Sequence, residues 1–583
     1  MVRHLLRRPP SGRKHGRGYE PWRAQVTHGP RARLTALALA ALVLAACSNT
    51  SHGAPSAAPS SAEPAVRQGG SVTVALDQEP ATFNPRTTRG NTTATRDVVR
   101  SVLPSVWTIN DKFEFVLNTD VVLSADVIVA NPQTIVYRIN PRAVWWDGKP
   151  ESESVPVSAD DFVIAYEMAR PGATDVGGLT MGIGPNEDLI ASVTGSDGGS
   201  TVTVVLSQPF ADWKALFLTP LVPARQARTV GWRMGFDNGA VWSAGPFRIA
   251  TYNQGRDLTL VRNERYWATP AKLDSVVFRF LSQSTDTVAE LRSGGVGLIT
   301  PRIQVDLRSQ LAQIPGIRWE TAPSQVYEYL DFKVTKGFLM NRDVRQAFAL
   351  ALDRRTIVAR TVGQLDPSAK VLNNRLYLTS QKEYLDTSGG RYDDQHLGEA
   401  RQILEGAGFT KGRDGIYAKG DDRLSFSLTT TSGDALREAQ EQLIQAQAKE
   451  AGIEVKIDNV APANLSERLL DDKNPFDIAN VGQTLLLVSG TSTVFGTDSK
   501  INVTKYSNTK VDELFRQARA ELDPGKRTGI YYDIDRILWD DMPRLPLYQR
   551  PNVVAYRDDL VNVAPSPALG TFWNLERWGL KAK

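Results

Sequence analysis

One cysteine, Cys47, is the entire thiol content of this 583-residue chain. An intrachain disulfide and a thiolate metal cluster are therefore excluded. Histidine is almost as scarce, with only His4, His15, His28, His52 and His396. The first four fall in segments that read as non-globular, which leaves His396 alone in the folded part. A multi-histidine zinc site is excluded, and a Ser-His-Asp triad would have to rest on that one residue. No apolar run reaches the ~18 residues of a membrane-spanning helix. No Gly-x-Ser-x-Gly or His-Glu-x-x-His pattern occurs, and Ser507-x-x-Lys510 has no companion motif. No catalytic residue, cofactor or metal site is expected.

The longest apolar run is 34–46, LTALALAALVLAA, behind Arg31 and Arg33. As a helix it would span ~20 Å, short of the ~30 Å hydrocarbon core. A basic flank, a short apolar stretch and small residues before a break make a secretory signal peptide, 1–46. The break, Leu44-Ala45-Ala46-Cys47, resembles the bacterial lipobox. That resemblance implies diacylglyceryl transfer to the Cys47 sulfur, cleavage before it, and anchoring of the mature chain by lipid to the outer face of the cell membrane. A buried cysteine behind a signal-anchor helix is the other reading. Residues 1–25 are long, polar and Arg-rich for such a signal, so they are either an extended leader or precede a true start near Val26. Residues 47–69 are rich in Ser, Ala and Pro and read as a flexible tether.

The export segment also decides the charge. The whole chain holds 68 Lys and Arg against 64 Asp and Glu, a formal +4. Residues 1–46 carry nine of the bases and one acid, Glu20, leaving 59 against 63, or −4. The mature chain is mildly acidic and lacks the basic footprint that nucleic-acid binding requires.

The chain is globular in composition, 41% hydrophobic and 23% charged, and long enough for about four ordinary domains or two large lobes. Val72, Val74 and Leu76 alternate with polar or small residues as in a strand. Thr201–Leu206 and Val276–Phe280 are further β-rich runs. Leu436, Ala439, Leu443 and Ala446 are expected to share the inward face of a helix stopped by Gly452, with a strand over 453–457 behind it. Val511, Leu514, Phe515 and Ala518 mark another helix. Asp523-Pro524 opens a last one, with Ile530, Ile534, Ile537 and Leu538 inward. Interleaved strands and helices over this length mean a large α/β protein.

Six blocks in order resemble the family 5 extracellular solute-binding proteins, the dipeptide, oligopeptide and nickel-binding group of ABC importers. They begin with Glu79-Pro80 to Phe83-Asn84-Pro85, then Tyr137-Arg138-Ile139 with Trp146-Asp147-Gly148-Lys149-Pro150 and Ser158-Ala159-Asp160-Asp161-Phe162. Next come Gly245-Pro246-Phe247 with Asn263 and Tyr266-Trp267, then Asp343-Val344-Arg345 with Asp353-Arg354. The last are Ala400–Phe409 running into 442–457, and Tyr506-Ser507-Asn508 with Asp540-Asp541-Met542-Pro543 and Pro546-Leu547-Tyr548. Taken locally, Asp147-Gly148 suits a turn, Asn263 and Tyr266-Trp267 a corner and core, and Arg345 and Arg354 a solvated helix face. The resemblance implies a two-lobed, type II periplasmic-binding-protein fold with a ligand cleft between α/β lobes. Lobe I would be 70–305 plus 545–583, with an extra subdomain at about 110–240, and lobe II would be 306–544. It further implies a monomer that closes by a hinge on a small peptide or other polar solute and delivers it to an ABC permease driven by an ATPase subunit. A non-peptide ligand (oligosaccharide or metal chelate) and ligand sensing without transport remain open beside it.

The family pattern breaks at the cleft. Peptide-binding relatives follow the strand matching Phe476–Gly482 with Trp and then an Asp for the peptide ammonium. This chain has Gln483 and Leu486 at those places. A buried ammonium without a counter-charge is costly, so another carboxylate must supply it or the ligand lacks a free amine there. The cleft candidates are Asn91 and Trp107 from the first lobe, Tyr327 and Tyr329, and the loop Gly482, Gln483 and Thr484. Glycine allows close backbone approach, and Tyr and Trp offer area with a polar handle.

Overall fold

The alternating run at Val72 folds as the strand Ser71–Leu76 and sits near the middle of a ten-stranded mixed sheet. In the computed structural model the described residues are 66–582 except 88, 171–188, 233 and 282–285. Cys47, the signal segment, the alternative start and most of the tether lie outside them. Among the described residues no helix is long and apolar enough to cross a membrane. The sheet runs Phe247–Asn253, Asp257–Arg262, Ser275–Phe280, Ser71–Leu76, Leu298–Ile299, Arg544–Arg557, Ile317–Phe332, Ile478–Thr484, Ser425–Thr429 and Glu454–Ile457. Ser71–Leu76 pairs in parallel with Ser275–Phe280, while the two longest strands, Ile317–Phe332 and Arg544–Arg557, pair antiparallel from Ile317↔Arg557 to Asp331↔Arg544. Val66–Arg67 pairs with the C-terminal strand Gly579–Lys581.

Two large apolar cores flank this sheet. One gathers Val98, Trp145, Phe162, Phe247 and Trp578; the other gathers Phe348, Phe426, Leu436 and Trp539. The strand Arg544–Arg557 feeds both, Val554 and Tyr556 facing the first and Val553 and Ala555 the second. That division is the two-residue period of a strand buried on both faces. A separate antiparallel sheet, ordered Val122–Ala130, Gln133–Ile139, Thr201–Leu206, Ile190–Ser196, packs against the helix Ala159–Ala169. The two late helices are Thr509–Ala520, burying Val511, Leu514, Phe515 and Ala518, and Pro524–Asp541, capped by the Asp523 carboxylate on the Lys526 N–H at 2.8 Å.

Two expectations are corrected. Arg345 and Arg354 do not lie on a solvated face; they are 5% and 0% exposed. Arg354 donates to the carbonyls of Tyr392 (2.8 Å), Leu372 (3.0 Å) and Pro546 (2.7 Å) and to Asn373 Oδ1 (2.7 Å). It gathers separate stretches of chain because a guanidinium carries five donors in a fixed fork. The helix Ala435–Glu450 also turns a different face inward: Leu436, Gln440, Glu441, Ile444 and Ala448, with Ala446 exposed.

Glu441 is fully buried, with Oε2 accepting from Asn459 Nδ2 at 2.9 Å and Oε1 without a partner. Burial pushes its carboxyl up to about 7. The folded chain therefore binds this proton more tightly than the unfolded chain. The associated stability is present below the unfolded carboxylate range and is lost as pH rises through about 7. Glu441→Gln is expected to remove that loss. Urea unfolding at pH 8 should find the variant more stable by up to about 3 kcal/mol, with little gain at pH 5. Equal stabilities at pH 8 would contradict the assignment.

Candidate functional site

The helix Thr93–Val99 begins where Thr92 Oγ1 accepts from the Thr95 N–H at 3.2 Å. Arg96 and Arg100 stand four residues apart and so share one side of it. Just beyond its end, the chain at Ser101–Val102 receives the Gly245-Pro246-Phe247 segment. The Ala244 N–H donates to the Val102 carbonyl at 3.1 Å, and the Phe247 N–H to the Ser101 carbonyl at 3.0 Å. Ser243 Oγ and Asn263 Nδ2, the latter donating to the Gly245 carbonyl at 2.8 Å, hold that segment from behind.

These pieces form one wall of a cavity of about 430 Å³, within the usual range for a small-molecule site. Asn91, Arg96, Arg100, Trp107, Asp120 and Tyr266 line it from the first part of the chain. Trp573, Glu576 and Arg577 line it from the C-terminal tail, Gln325 and Thr484 from the strand pair Ile317–Phe332 and Ile478–Thr484, and Leu486 from the segment just past that pair. The Leu485 N–H donates to the Gln325 carbonyl at 2.8 Å, so the chain leaving Ile478–Thr484 stays beside the middle of Ile317–Phe332. Trp107 is 4% exposed and meets Trp213 edge to face at 5.5 Å.

The acids of the wall are already engaged. Asp120 accepts from the Tyr266 hydroxyl at 2.9 Å, and Glu576 lies 3.4 Å from Arg577. Burial holds the Glu576 carboxyl above the ordinary range. The Asn91 Oδ1 accepts from Arg96 at 3.1 Å.

Asn91, Trp107 and Thr484 thus come together on one cavity, and Leu486 stands beside them. Tyr327, Tyr329 and Gln483 are placed elsewhere, around the buried guanidinium of Arg544. Arg544 makes a two-point ion pair with Asp331 at 2.6 and 2.8 Å, donates to the Tyr327 hydroxyl at 2.7 Å and to Gln483 Oε1, and lies 3.4 Å over the Tyr329 ring. Gly482 faces the opposite side of the strand, toward the fully buried Glu328, which pairs with Arg437 at 3.0 Å and Arg550 at 3.2 Å. A side chain at Gly482 would place Cβ 2.9 Å from Glu328 Oε1, so glycine there accommodates an ion-pair network rather than a cavity. Sequence reasoning missed Arg96, Arg100, Asp120 and Arg577. Only the i, i+4 spacing of the first two could have singled out a pair.

The curated relatives include the oligopeptide-binding protein OppA of Mycobacterium tuberculosis, 26% identical over 86% of this chain and 83% of its own length. They also include the oligopeptide-binding protein AppA of Bacillus subtilis, 25% identical over 94% of this chain and 98% of its own. Among solved structures, the periplasmic EDTA-binding protein EppA superposes with a TM-score of 0.81 at 24% identity, over 91% of this chain and 100% of that one. The likeness shows the fold to be the two-lobed, type II binding-protein architecture, with α/β lobes. The model of the bacterial extracellular solute-binding proteins, family 5, matches residues 119–502. With well over half of its length under that model, the chain belongs to this family of extracellular solute-binding proteins.

Proposed function

We propose that this chain is the solute-capturing subunit of an ABC importer, tethered by lipid on Cys47 to the outer face of the cell membrane. In this reading 70–305 with 545–583 form one lobe and 306–544 the other. The lobes close on a small peptide or related polar solute, and the closed form docks on a permease served by an ATPase. It acts as a monomer and performs no catalysis. The observation that carries this reading is the cavity of about 430 Å³ with walls drawn from both stretches. Contacts across the same divide support closure as the working motion: Lys382 pairs with Glu114 at 2.6 Å, and the Ala211 N–H donates to the Arg519 carbonyl at 3.1 Å. Ligand contacts from both walls favour the closed state over the open one.

Native mass spectrometry of the protein freed of its lipid tests the proposal. The expected result is a mass increment of one small solute per chain that disappears on unfolding. Turnover of any solute by the purified chain would overturn the non-catalytic reading, and a mature N-terminus other than acylated Cys47 would overturn the anchor.

A further inference from the structure

We propose that the cleft is built for an anionic solute, with a carboxylate or comparable group of the ligand seated on Arg96 and Arg100. This rests on the reading of the cavity as the solute site and assigns the charge of what enters it.

The charges of the wall are satisfied unequally. Among the described residues neither Arg96 nor Arg100 makes an ion pair. Arg96 donates to Asn91 Oδ1 and Thr93 Oγ1, both at 3.1 Å, and Arg100 donates to the Leu569 carbonyl. All three acceptors are neutral. Asp97 acts on both arginines through space with no ion pair to either, raising their basicity, while burial pushes its own carboxyl up to about 6. The two acids that line the cavity have partners of their own, Asp120 on Tyr266 and Glu576 on Arg577. The facing wall adds Gln325, Thr484 and Leu486, none of them charged.

Two half-buried guanidiniums with no carboxylate in contact carry a desolvation cost that Asp97, acting through space, offsets only in part. It registers as a loss of basicity, with Arg100 drawn down to about 10 and Arg96 also lowered. The position of Arg100 at a helix C-terminus offsets part of that cost. A ligand anion would offset the rest and would gain charge-assisted hydrogen bonds, in the forked geometry that guanidinium offers, in a place sheltered from water. A ligand ammonium would meet the same two cations, and both acids that line the cavity already have partners.

The test uses four probes on the folded protein: N-acetyl-trialanine, with one carboxylate; trialanine amide, with one ammonium; N-acetyl-trialanine amide, uncharged; and citrate, with three carboxylates. Thermal shift and calorimetry are expected to detect binding of the carboxylate probes and not of trialanine amide. Arg96→Gln/Arg100→Gln should weaken the carboxylate probes at least tenfold. Without any ligand, the double variant should melt close to the parent temperature, because relief of two desolvated cations offsets the loss of their through-space attraction to Asp97. A double variant that melts several degrees lower makes the pair a structural element and overturns the proposal. Tighter binding of trialanine amide or the uncharged probe, or unchanged carboxylate affinity in the variant, overturns the anionic assignment while leaving solute capture intact. Absence of binding by all four, together with no co-purified solute in the native mass spectrum, overturns both.

Discussion

Replacing Arg544 by methionine is expected to destabilise the protein by about 3–5 kcal/mol, the range for stranding one half of a buried ion pair. Arg544 and Asp331 are 2% and 0% exposed at their side chains, directly opposite each other where the two long strands pair. With the guanidinium gone, the Asp331 carboxylate keeps its burial and loses both of its charge-assisted bonds. The Tyr327 hydroxyl and Gln483 Oε1 lose their donor as well, and the Tyr329 ring loses the cation stacked on its face. Burial alone pushes the Asp331 carboxyl above its ordinary range, and Arg544 is the main influence opposing it. The variant is therefore expected to recover part of its stability as pH falls and Asp331 takes up a proton. Arg544→Met/Asp331→Leu should regain much of the loss, because neither strand then carries an unpaired charge. Urea unfolding of the parent, the single and the double variant measures this. A single variant within about 1 kcal/mol of the parent, or a double variant no better than the single, would show that the pair does not hold the strands together.

That same cage explains which parts of the cleft are legible in the sequence. An aromatic body with a polar tip suits a ligand wall, and that property singles out Tyr327 and Tyr329. In a sheet buried on both faces, however, alternation says only that residues differ in side, not which side is open. The group that claims both tyrosines, Arg544, lies more than two hundred residues away and begins a different strand. Its hydrogen bond to Gln483 likewise leaves that residue off the wall of the cavity. Thr484 reaches the cavity because it ends its strand, where the next residues bend across Gln325. The apolar elements are legible: 71–76, the helix at 509–520 and its four buried residues, and the Asp523-Pro524 start all follow from periods of 2 and 3.6 and from capping chemistry. The failures share one cause. Arg345, Arg354, Gln440 and Glu441 are polar residues in the core, and a hydropathy period passes over them. Arg345 and Arg354 find acceptors on distant segments, whereas Gln440 and Glu441 each keep one buried oxygen without a partner.

Gly245→Ala is expected to cost about 3–5 kcal/mol, beyond ordinary overpacking because the obstacle is main chain. Its φ is not the issue. A Cβ built there falls 2.2 Å from the Ser101 carbonyl oxygen and 3.0 Å from the Val102 nitrogen. The Ser101 oxygen is the acceptor of the Phe247 N–H, and the Val102 carbonyl is the acceptor of the Ala244 N–H, so separating the two segments breaks the links that align them. The Gly-Pro-Phe motif thus has a physical reason: glycine lets the segment lie directly on the chain leaving the helix Thr93–Val99. Ser101, Gly245 and Pro246 all line the cavity. A displacement of even ~1 Å there moves Arg100 relative to the facing wall, and misplacement on that scale is enough to disturb a positioned contact. Gly490→Ala is the control, because its Cβ meets no heavy atom within 4 Å and its φ lies outside the range that disfavours a side chain. It should stay within about 0.5 kcal/mol of the parent. Circular dichroism melts of both variants, with titration of the carboxylate probes into the Gly245 variant, separate the effects. If Gly245→Ala melts like Gly490→Ala and binds like the parent, the close approach of the two segments is not what shapes this wall of the cleft.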